Sequence, residues 1–414
     1  MLIFLIEKAK HLSNNWSPII SLQLDLISSI EQLFFFFAAF NIFGKSVETF
    51  TGLFIYFLLM LDKNYHISKN FRSKWGKKLL SWYSIHKRDL PWRKKENQNF
   101  YRIWISEVML QQTQVKTVIP YYKKFLKKWP NLESFNKASL NEILQQWQGL
   151  GYYQRAKNLF LAKEYLKNNK LFLDPTSLKK IPGIGDYISC SIPAILNDYS
   201  CGVVDGNIKR VIKRSFDIDE NRKDFNKIVG KIAVELTPKE NNRDYCQSLM
   251  DLANIICKAK LPECSLCPIK DECRSFVNKI EFKKIKSRKK KYKYGVSFIV
   301  KFQEEFLIEQ NKKKLLQGLY TFPMTDLLEK KKNQSKKNLF KSLIENWKVE
   351  KNLLFDHKDL CFVEHTFSHF YLKLLIVKIE LSSKMKFKDL MWIKEKKFDV
   401  KPKSILVKKV RERI

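Results

Sequence analysis

Four of the eight cysteines in this 414-residue chain fall in one short loop, with the spacing Cys-x6-Cys-x2-Cys-x5-Cys. Four thiolates this close together can hold a zinc ion or an iron–sulfur cluster. Zinc sites more often use two well-separated Cys-x2-Cys pairs, and ferredoxins use a tighter spacing, so a single asymmetric loop favours a cubane cluster. The four predicted ligands are Cys257, Cys264, Cys267 and Cys273.

The other four cysteines are scattered and do not form the dense, even pattern of a secreted disulfide framework. They are Cys190, Cys201, Cys246 and Cys361. One clustered set within a chain of enzyme size therefore indicates a metal site in a reducing cytoplasm.

Glu107 lies in an apolar stretch, residues 103–109, whose three- and four-residue spacing predicts a helix. A carboxylic acid buried among such neighbours has a raised pKa and can hold a proton near neutral pH. An exposed helix glutamate is the alternative, and the flanking Trp104, Val108 and Met109 disfavour it. Glu107 is thus a candidate general acid.

Asp205 begins the segment Asp-Gly-Asn-Ile-Lys-Arg-Val, which predicts a helix with the aspartate at its N-cap. A carboxylate in this position stays ionised because the helix dipole and the free amides favour a negative charge. A purely structural cap is the alternative interpretation, and the two roles are compatible.

The segment Leu-Lys-Lys-Ile-Pro-Gly-Ile-Gly, residues 178–185, joins two helical stretches. The Pro-Gly pair favours a turn with positive φ at Gly183. Gly185 allows close approach of the backbone, so the next helix can offer free N–H groups to a phosphate. Turns of this kind are common between helices, so alone this hairpin is weak evidence of DNA binding.

Three regions of different composition carry these groups. Residues 74–274 have helical periodicity with Pro and Gly punctuation, and residues 281–293 form a basic run with few apolar anchors. Residues 294–304 and 372–381 have the pattern of strands, with a lysine-rich helix near 328–347 between them. The sequence therefore predicts an all-α part followed by a smaller α+β part.

The amino-terminal region contains two apolar runs, residues 33–40 and 53–60. Each is shorter than the roughly 20 residues of a spanning helix, and no signal-peptide pattern precedes them. Met60 is the first methionine after Met1. We interpret residues 1–67 as an extension from a misassigned start, with translation beginning near Met60; a membrane anchor is the alternative.

The net charge of +36 comes from 78 Lys and Arg against 42 Asp and Glu. So basic a surface attracts polyanions, of which nucleic acid is the commonest. Heavy use of Lys, Asn, Ile and Phe also fits an AT-rich genome, so the charge decides little by itself. With 45% hydrophobic residues, the chain can bury cores and is not disordered by composition.

The hairpin, the Val-Asp-Gly-Asn-x-Lys-Arg-Val segment and the cysteine loop occur in an order and spacing that resemble the endonuclease III family of helix-hairpin-helix DNA glycosylases. The resemblance implies one 4Fe-4S cluster. Breaking a bond between a purine and its sugar requires a protonated leaving base and a stabilised oxocarbenium-like sugar. One neutral acid and one persistent anion perform these two tasks.

Residues 91–93, 106–115 and 149–153 are similar to the MutY-type adenine glycosylases within that family. The resemblance implies that Glu107 is the catalytic acid and Asp205 the carboxylate that stabilises the sugar. It assigns supporting roles to Tyr187 and Asn207. It also implies that Gln112 and Tyr152 fill the hole left by the flipped adenine, and it adds three further DNA contacts. These contacts are Gly183, Gly185 and Lys209.

Position 187 separates two enzyme classes. Members of this fold that also cut the DNA backbone resemble one another in a lysine nucleophile just after the hairpin, whereas this chain has Tyr187. A phenol cannot form a Schiff base, so strand cleavage should be weak or absent. Lys209 can trap an abasic aldehyde adventitiously, and Asp186 replaces an expected basic residue. The alternatives are a bifunctional glycosylase/lyase and a catalytically inactive, cluster-bearing DNA-binding protein.

Residues 317–323 and 365–370 resemble the C-terminal domain of MutY-type enzymes, which is related to MutT pyrophosphatases. A pyrophosphatase of that kind needs a glutamate-rich helix to hold Mg²⁺, and residues 328–347 are lysine-rich instead. The module should therefore recognise a base rather than hydrolyse a nucleotide. By resemblance, Phe367, Ser368 and His369 inspect 8-oxoguanine.

The predicted domains are a helix-hairpin-helix glycosylase domain at 68–280 with the iron–sulfur loop 257–273, a basic linker at 281–291 and a MutT-like domain at 292–400. The resemblance implies a monofunctional adenine glycosylase of base excision repair. Its substrate would be double-stranded DNA with adenine opposite 8-oxoguanine or guanine. We expect a monomer in the bacterial cytoplasm, associated with the nucleoid and without stable membrane association.

Overall fold

The computed structural model describes residues 67–280, 290–313, 315–331, 333–352 and 357–413. The predicted start at Met60 and the preceding extension lie outside these ranges, as does nearly all of the basic linker. Within the described ranges, no helix combines the length and apolar character needed to cross a membrane.

Residues 67–280 are helical. The helices are α1 (Lys69–His86), α2 (Phe100–Leu110), α3 (Val115–Lys128), α4 (Leu132–Asn136), α5 (Leu140–Gln146), α6 (Gln154–Asn168), α7 (Pro175–Leu178), α8 (Asp186–Asn197), α9 (Gly206–Phe216), α10 (Phe225–Leu236), α11 (Asn242–Ile255) and α12 (Arg274–Val277). Short 3-10 turns lie at Pro91–Arg93, Lys95–Asn97, Cys264–Leu266 and Lys270–Glu272.

Local sequence explains where several of these helices begin. The side chain of Ser68 caps α1 and that of Asn99 caps α2, each accepting a hydrogen bond from a backbone N–H in the first turn. Ser139 and Glu142 form a capping box at the start of α5. The helix that carries Glu107 therefore begins at a polar cap outside the core.

A cluster of aromatic side chains forms part of the core of the helical part. Phe125, Trp129, Phe135 and Trp147 pack against one another with ring centroids 4.8 to 6.4 Å apart. The helix α2 packs beside them and, apart from Arg102, is buried from Phe100 to Met109. An acid on this helix is thus held in an apolar environment.

The C-terminal part is a mixed sheet with helices. Its strands are β1 (Lys291–Phe302), β2 (Glu305–Gln310), β3 (Tyr320–Thr321), β4 (Lys358–Thr366), β5 (Phe370–Glu380) and β6 (Met391–Lys394), and its helices are α13 (Lys336–Lys351), α14 (Glu395–Asp399) and α15 (Ile405–Arg411). The strand order is β3-β2-β1-β5-β4, with β6 paired to β2. Only the β1–β5 pairing is parallel among these described pairs.

The fold confirms the predicted all-α part followed by an α+β part. The lysine-rich helix, predicted near 328–347, begins at Lys336 and ends at Lys351. Its start is set by the side chain of Ser335, which accepts a hydrogen bond from the N–H of Asn338. Its end is set by Asn352, which adopts the left-handed conformation.

The helical part and the sheet share one continuous hydrophobic core. Polar contacts join them as well, since the side-chain amide of Gln148 donates to the carbonyl of Lys401 at 3.3 Å. A Cβ atom added to Gly318 would lie 3.0 Å from Cε of Lys157, so the residue 317–323 motif packs closely on α6. The motif therefore serves at the junction between the two parts.

Candidate active site

One cavity of about 800 Å³ brings together most of the residues that the sequence analysis selected in the helical part. It is lined by residues from α2, from the loop that follows α2, from the hairpin, and from the starts of α8 and α9. Its predicted members are Glu107, Gln112, Tyr152, Gly185, Tyr187, Asp205 and Asn207. A volume of this size is ample for a single extruded nucleotide.

Glu107 is buried, with 8% of its surface exposed. Burial raises its pKa to about 7, although hydrogen bonds from Ser191 and Tyr187 and the charge of Arg93 act in the opposite direction. The Ser191 hydroxyl donates to Oε2 of Glu107 at 3.0 Å. Nearby Asp205 also raises the pKa. The carboxyl group can therefore carry a proton at neutral pH and release it to a base in the cavity.

Asp205 occupies the N-cap of α9, as predicted. Its Oδ1 accepts hydrogen bonds from the N–H groups of Asn207 and Ile208 at 2.8 and 2.7 Å. Its Oδ2 accepts from the side-chain amide of Asn207 at 3.0 Å. Three donors and the positive end of a helix dipole suit a negative charge at this point of the cavity wall.

Tyr187 is packed against the acid. Its phenol donates a hydrogen bond to Glu107, and burial raises the tyrosine pKa well above its ordinary value. Cys246 on α11 faces the same pair, and burial also raises the pKa of its thiol. Both groups are therefore neutral at physiological pH, and neither adds a charge beside Glu107.

Arg155 is a residue that sequence reasoning missed. It is 7% exposed and donates to the carbonyls of Val108, Met109 and Gln111, which end the helix α2, at 2.7 to 3.0 Å. It also donates to the carbonyl of Gly151 at 3.2 Å. One guanidinium thus ties the end of the acid-bearing helix to the turn before α6.

A buried ion-pair network forms another wall of the cavity that the sequence analysis did not predict. Asp251, fully buried on α11, accepts from Arg93 at 2.8 and 2.9 Å and from Nε of Arg88 at 2.8 Å. The two arginines hold the pKa of Asp251 below its ordinary value even though burial opposes this shift. Arg93 belongs to the Pro-Trp-Arg motif, which was the available signal in the sequence.

The hairpin forms between α7 and α8. Gly183 has φ +83°, as predicted, and a Cβ atom there would lie 2.6 Å from Cβ of Asn158. Gly185 is the N-cap of α8 and provides no side-chain cap. The first N–H groups of α8 are therefore available to an anion. Asp186, in that first turn, pairs with Lys179 across the hairpin.

Two residues beside the cavity, Gln112 and Tyr152, have an unusual backbone conformation. Gln112 has φ +52° and Tyr152 has φ +47°, in the left-handed region that residues other than Gly, Asn and Asp seldom adopt. Tyr152 is 47% exposed, and the guanidinium of Arg155 lies 5.5 Å from its ring centroid. Strained, exposed side chains held by a rigid support are typical of ligand-contacting positions.

Lys209 is bound to another side chain in the structure, since its ammonium donates to Oδ1 of Asn226 at 2.6 Å. It lies on α9, one turn after Asp205. The cavity-lining set does not include it.

The four clustered cysteines line one small cavity between α9, α11 and α12. Apolar side chains complete its wall, among them Val211, Leu252 and Phe276. Within the described ranges, no three His, Cys, Asp or Glu side chains are close enough together to hold a single metal ion. Four thiols that line one apolar cavity match the donor set that iron–sulfur clusters use.

Two arginines of α9 hold the cysteine loop. Arg210 donates to the carbonyls of Cys257 and Ala253 at 2.9 and 2.8 Å. Arg214 donates to the carbonyl of Lys258 at 2.8 Å, and its Nη1 lies 3.3 Å from Sγ of Cys257. The helix that begins at Asp205 therefore ends on the cysteine loop.

The scattered cysteines differ from expectation in one respect. Cys190 on α8 and Cys201 form a disulfide, whereas the sequence analysis treated them as unrelated thiols. The bond closes the turn that leads from α8 to Asp205. Only proximity after folding joins two cysteines 11 residues apart across a helix end, so no spacing rule predicted the pair.

The three residues implied in 8-oxoguanine recognition lie at the turn between β4 and β5. The N–H of Phe367 donates to the carbonyl of Phe370 at 2.9 Å, which closes the turn. Ser368 and His369 are exposed, and Ser368 Oγ lies 3.1 Å from Nδ1 of His369. The Phe367 ring stacks on Phe370 with centroids 4.6 Å apart. The turn thus exposes the Ser368 hydroxyl and the His369 imidazole next to the stacked rings of Phe367 and Phe370.

Comparisons with known proteins place this site in a family. The model of the HhH-GPD superfamily base excision DNA repair proteins matches residues 105–235, from α2 to α10. An adenine DNA glycosylase from Buchnera aphidicola of Schizaphis graminum is 35% identical over 314 residues, which cover 73% of this chain and 87% of that protein. That match is longer than the helical part and so includes residues of the C-terminal part.

Another adenine DNA glycosylase, from Buchnera aphidicola of Baizongia pistaciae, is 40% identical over 239 residues, covering 56% of this chain and 66% of that protein. Among solved structures, a thermostable thymine-DNA glycosylase has 26% sequence identity and a TM-score of 0.45, and the match covers 50% of this chain and 97% of that one. On its sequence similarity to the curated relatives, the chain belongs to the adenine DNA glycosylase family.

Proposed function

We propose that this protein is a monofunctional DNA glycosylase that hydrolyses the bond between adenine and its deoxyribose, where the adenine lies opposite 8-oxoguanine or guanine in duplex DNA. The observation that carries the proposal is the pairing of two carboxyl groups on one cavity. Glu107 has a pKa raised to about 7 by burial. Asp205 is surrounded by three hydrogen-bond donors.

The proposed reaction uses the two groups in turn. The protonated Glu107 donates its proton to a ring nitrogen of the flipped adenine, and the electrons of the glycosidic bond pass to the departing base. The negative charge of Asp205 stabilises the oxocarbenium-like sugar that remains. Water then adds to the sugar carbon, and its proton passes to the Glu107 carboxylate, which restores the acid.

Neighbouring side chains orient the pair. The Ser191 hydroxyl donates to Oε2 of Glu107, and Tyr187 also donates to this carboxyl group, so both side chains hold its orientation in the cavity wall. Asn207 fixes the plane of the Asp205 carboxylate with two hydrogen bonds. Because Tyr187 is a neutral phenol, no amine stands at that position to attack the sugar and cut the strand.

DNA is engaged by the rim of the cavity. We propose that Gln112 and Tyr152 enter the base stack when adenine is extruded, because both are held in strained conformations at the cavity mouth. The uncapped start of α8, with Gly183 and Gly185, binds a backbone phosphate. Lys209 contributes positive charge and can bind a phosphate after releasing Asn226.

Cys257, Cys264, Cys267 and Cys273 would hold one 4Fe-4S cluster. When bound, such a cluster supplies a covalent cross-link for a loop that lacks its own core. Arg210 and Arg214 bind the carbonyls of this loop and so attach it to α9.

The C-terminal part completes the recognition of the mispair. We propose that residues 292–400 form a MutT-like recognition domain and that Phe367, Ser368 and His369 contact 8-oxoguanine, with residues 68–280 forming the glycosylase domain. The exposed hydroxyl and imidazole can hydrogen-bond to the edge of a base. We further propose that the protein acts as a monomer on the bacterial nucleoid.

A cleavage assay tests this proposal. Holoprotein is incubated with duplexes that contain adenine opposite 8-oxoguanine, or thymine glycol, and strands are analysed with and without hot alkali. We expect alkali-dependent cleavage at adenine only, and loss of that cleavage in Glu107→Gln while duplex binding persists. Strand scission without alkali at thymine glycol would favour the bifunctional alternative. Full activity of Glu107→Gln would refute the acid assignment.

A further inference from the structure

A second pocket, of about 400 Å³, adjoins the cavity that contains Glu107 and Asp205, which we call the excision cavity. We call it the outer pocket; the end of α1, the following turn and the start of α11 form it. Three side chains, Arg88, Arg93 and Gln247, line both the outer pocket and the excision cavity. The two spaces are therefore separated at this point by side chains.

The three dividing side chains are held very differently. Both arginines donate hydrogen bonds to the fully buried Asp251, so their side chains are held in place. The side chain of Gln247 takes part in a single hydrogen bond among the described residues, in which the Tyr83 hydroxyl donates to its Oε1 at 3.3 Å. Of the three side chains between the two spaces, Gln247 can therefore change its conformation with the smallest loss of hydrogen bonds.

The lining of the outer pocket suits a free purine. Lys87 and Lys94 offer only hydrogen-bond donors, and most ring nitrogens of a purine are acceptors. Asp89 and Asp244 in the same pocket can accept from an exocyclic amine. None of the proposed DNA contacts lines the outer pocket, whereas Gln112, Tyr152 and Gly185 line the excision cavity.

We infer that the outer pocket is the exit for the excised base, with Gln247 as its gate. This inference rests on the function proposed above. If DNA binds at the rim as proposed above, product DNA covers the mouth of the excision cavity, and a base that leaves before the DNA must use another opening. The outer pocket provides one, and the base passes beside the fixed arginines, through the space that the Gln247 side chain vacates when it turns away from Tyr83.

The test separates bond breakage from base release. Holoprotein acts once on a bead-bound duplex with tritiated adenine opposite 8-oxoguanine. Cleavage by hot alkali measures the number of broken glycosidic bonds, and tritium in the supernatant measures free adenine. The loss of a labelled protein from the beads measures its dissociation from DNA. The readout is the ratio of adenine release to bond breakage in the same sample, so an altered bond-breaking rate does not affect the result.

Lys87→Trp and Lys94→Trp fill the outer pocket from exposed positions, and Lys74→Trp, on the exposed face of α1, is the matched control. In the wild type and the control, we expect adenine to appear before the protein leaves the DNA. In the filled variants, adenine release should slow by roughly tenfold or more, towards the rate of DNA dissociation. Gln247→Ala should accelerate release.

Two results would refute the inference that the excised base leaves through the outer pocket. One is adenine that appears only as the wild-type protein leaves the DNA, and the other is release from the filled variants as fast as from Lys74→Trp. If no alkali-sensitive sites form with any protein, the proposed function itself fails and the exit fails with it. The alkali measurement distinguishes this last case from the others.

Discussion

Replacing Glu107 by glutamine should stabilise the protein above neutral pH although it removes the proposed catalytic acid. Burial raises the pKa of Glu107 from 4.5 to about 7, so the folded protein holds this proton more tightly than the unfolded chain does. The stability contributed by the neutral acid is fully present below pH 4.5 and is lost as pH rises through 7. A pKa difference of about 2.5 corresponds to roughly 3 kcal/mol.

Glutamine has nearly the same shape and does not ionise, so it avoids this loss. We expect Glu107→Gln to exceed the wild type in unfolding free energy by less than about 1 kcal/mol at pH 5 and by about 3 kcal/mol at pH 9. Urea denaturation of both holoproteins at the two pH values, followed by tryptophan fluorescence, measures the difference. Glu133→Gln, at an exposed position on α4, is the matched control.

The pH dependence of the difference is the decisive quantity. If Glu107→Gln differs from the wild type by the same amount at pH 5 and pH 9, the folded protein does not favour the neutral form of this acid. The proposed proton donation to adenine would then lose its physical basis, whatever the effect of the substitution on activity.

Three further outcomes follow from the site. Ser191→Ala removes a donor that lowers the pKa of Glu107, so the alkaline fall in the single-turnover excision rate should move up by about one pH unit, measured at several pH values. Arg155→Met leaves buried carbonyls without a donor and should lower the unfolding free energy by about 3 kcal/mol in urea denaturation. Cys267→Ser should abolish the visible absorption of the cluster, whereas Cys361→Ser should leave it intact.

Local signals in the sequence predicted the structural positions of the groups to which we assign the chemistry. Asp205 was placed at a helix N-cap because a short polar residue precedes a regular apolar pattern, and it caps α9. Glu107 was placed among apolar neighbours on a helix, and it is 8% exposed. Gly183 was assigned a positive φ from the Pro-Gly pair. Each of these features depends on residues within one or two helical turns.

The supports of those groups could not be predicted in the same way. Arg155 bonds carbonyls that lie more than 40 positions earlier in the chain, and Arg93 bonds Asp251 across 158 positions. An arginine within a helix and an aspartate within a helix each look like ordinary surface residues in a single sequence. Only the packed structure reveals that their charges are satisfied inside the protein.

The helix α9 gives the cysteine loop a mechanical connection to the reaction. Asp205 caps its first turn, while Arg210 and Arg214, on its later turns, bind carbonyls of the loop from Ala253 to Ala259. A helix is stiff over three turns, so a loop that holds one end also fixes the other. A cluster at the four cysteines would then order the Asp205 carboxylate without exchanging electrons. On this reasoning, damage to the loop should displace Asp205 and spare Glu107, whose helix is held at its end by Arg155.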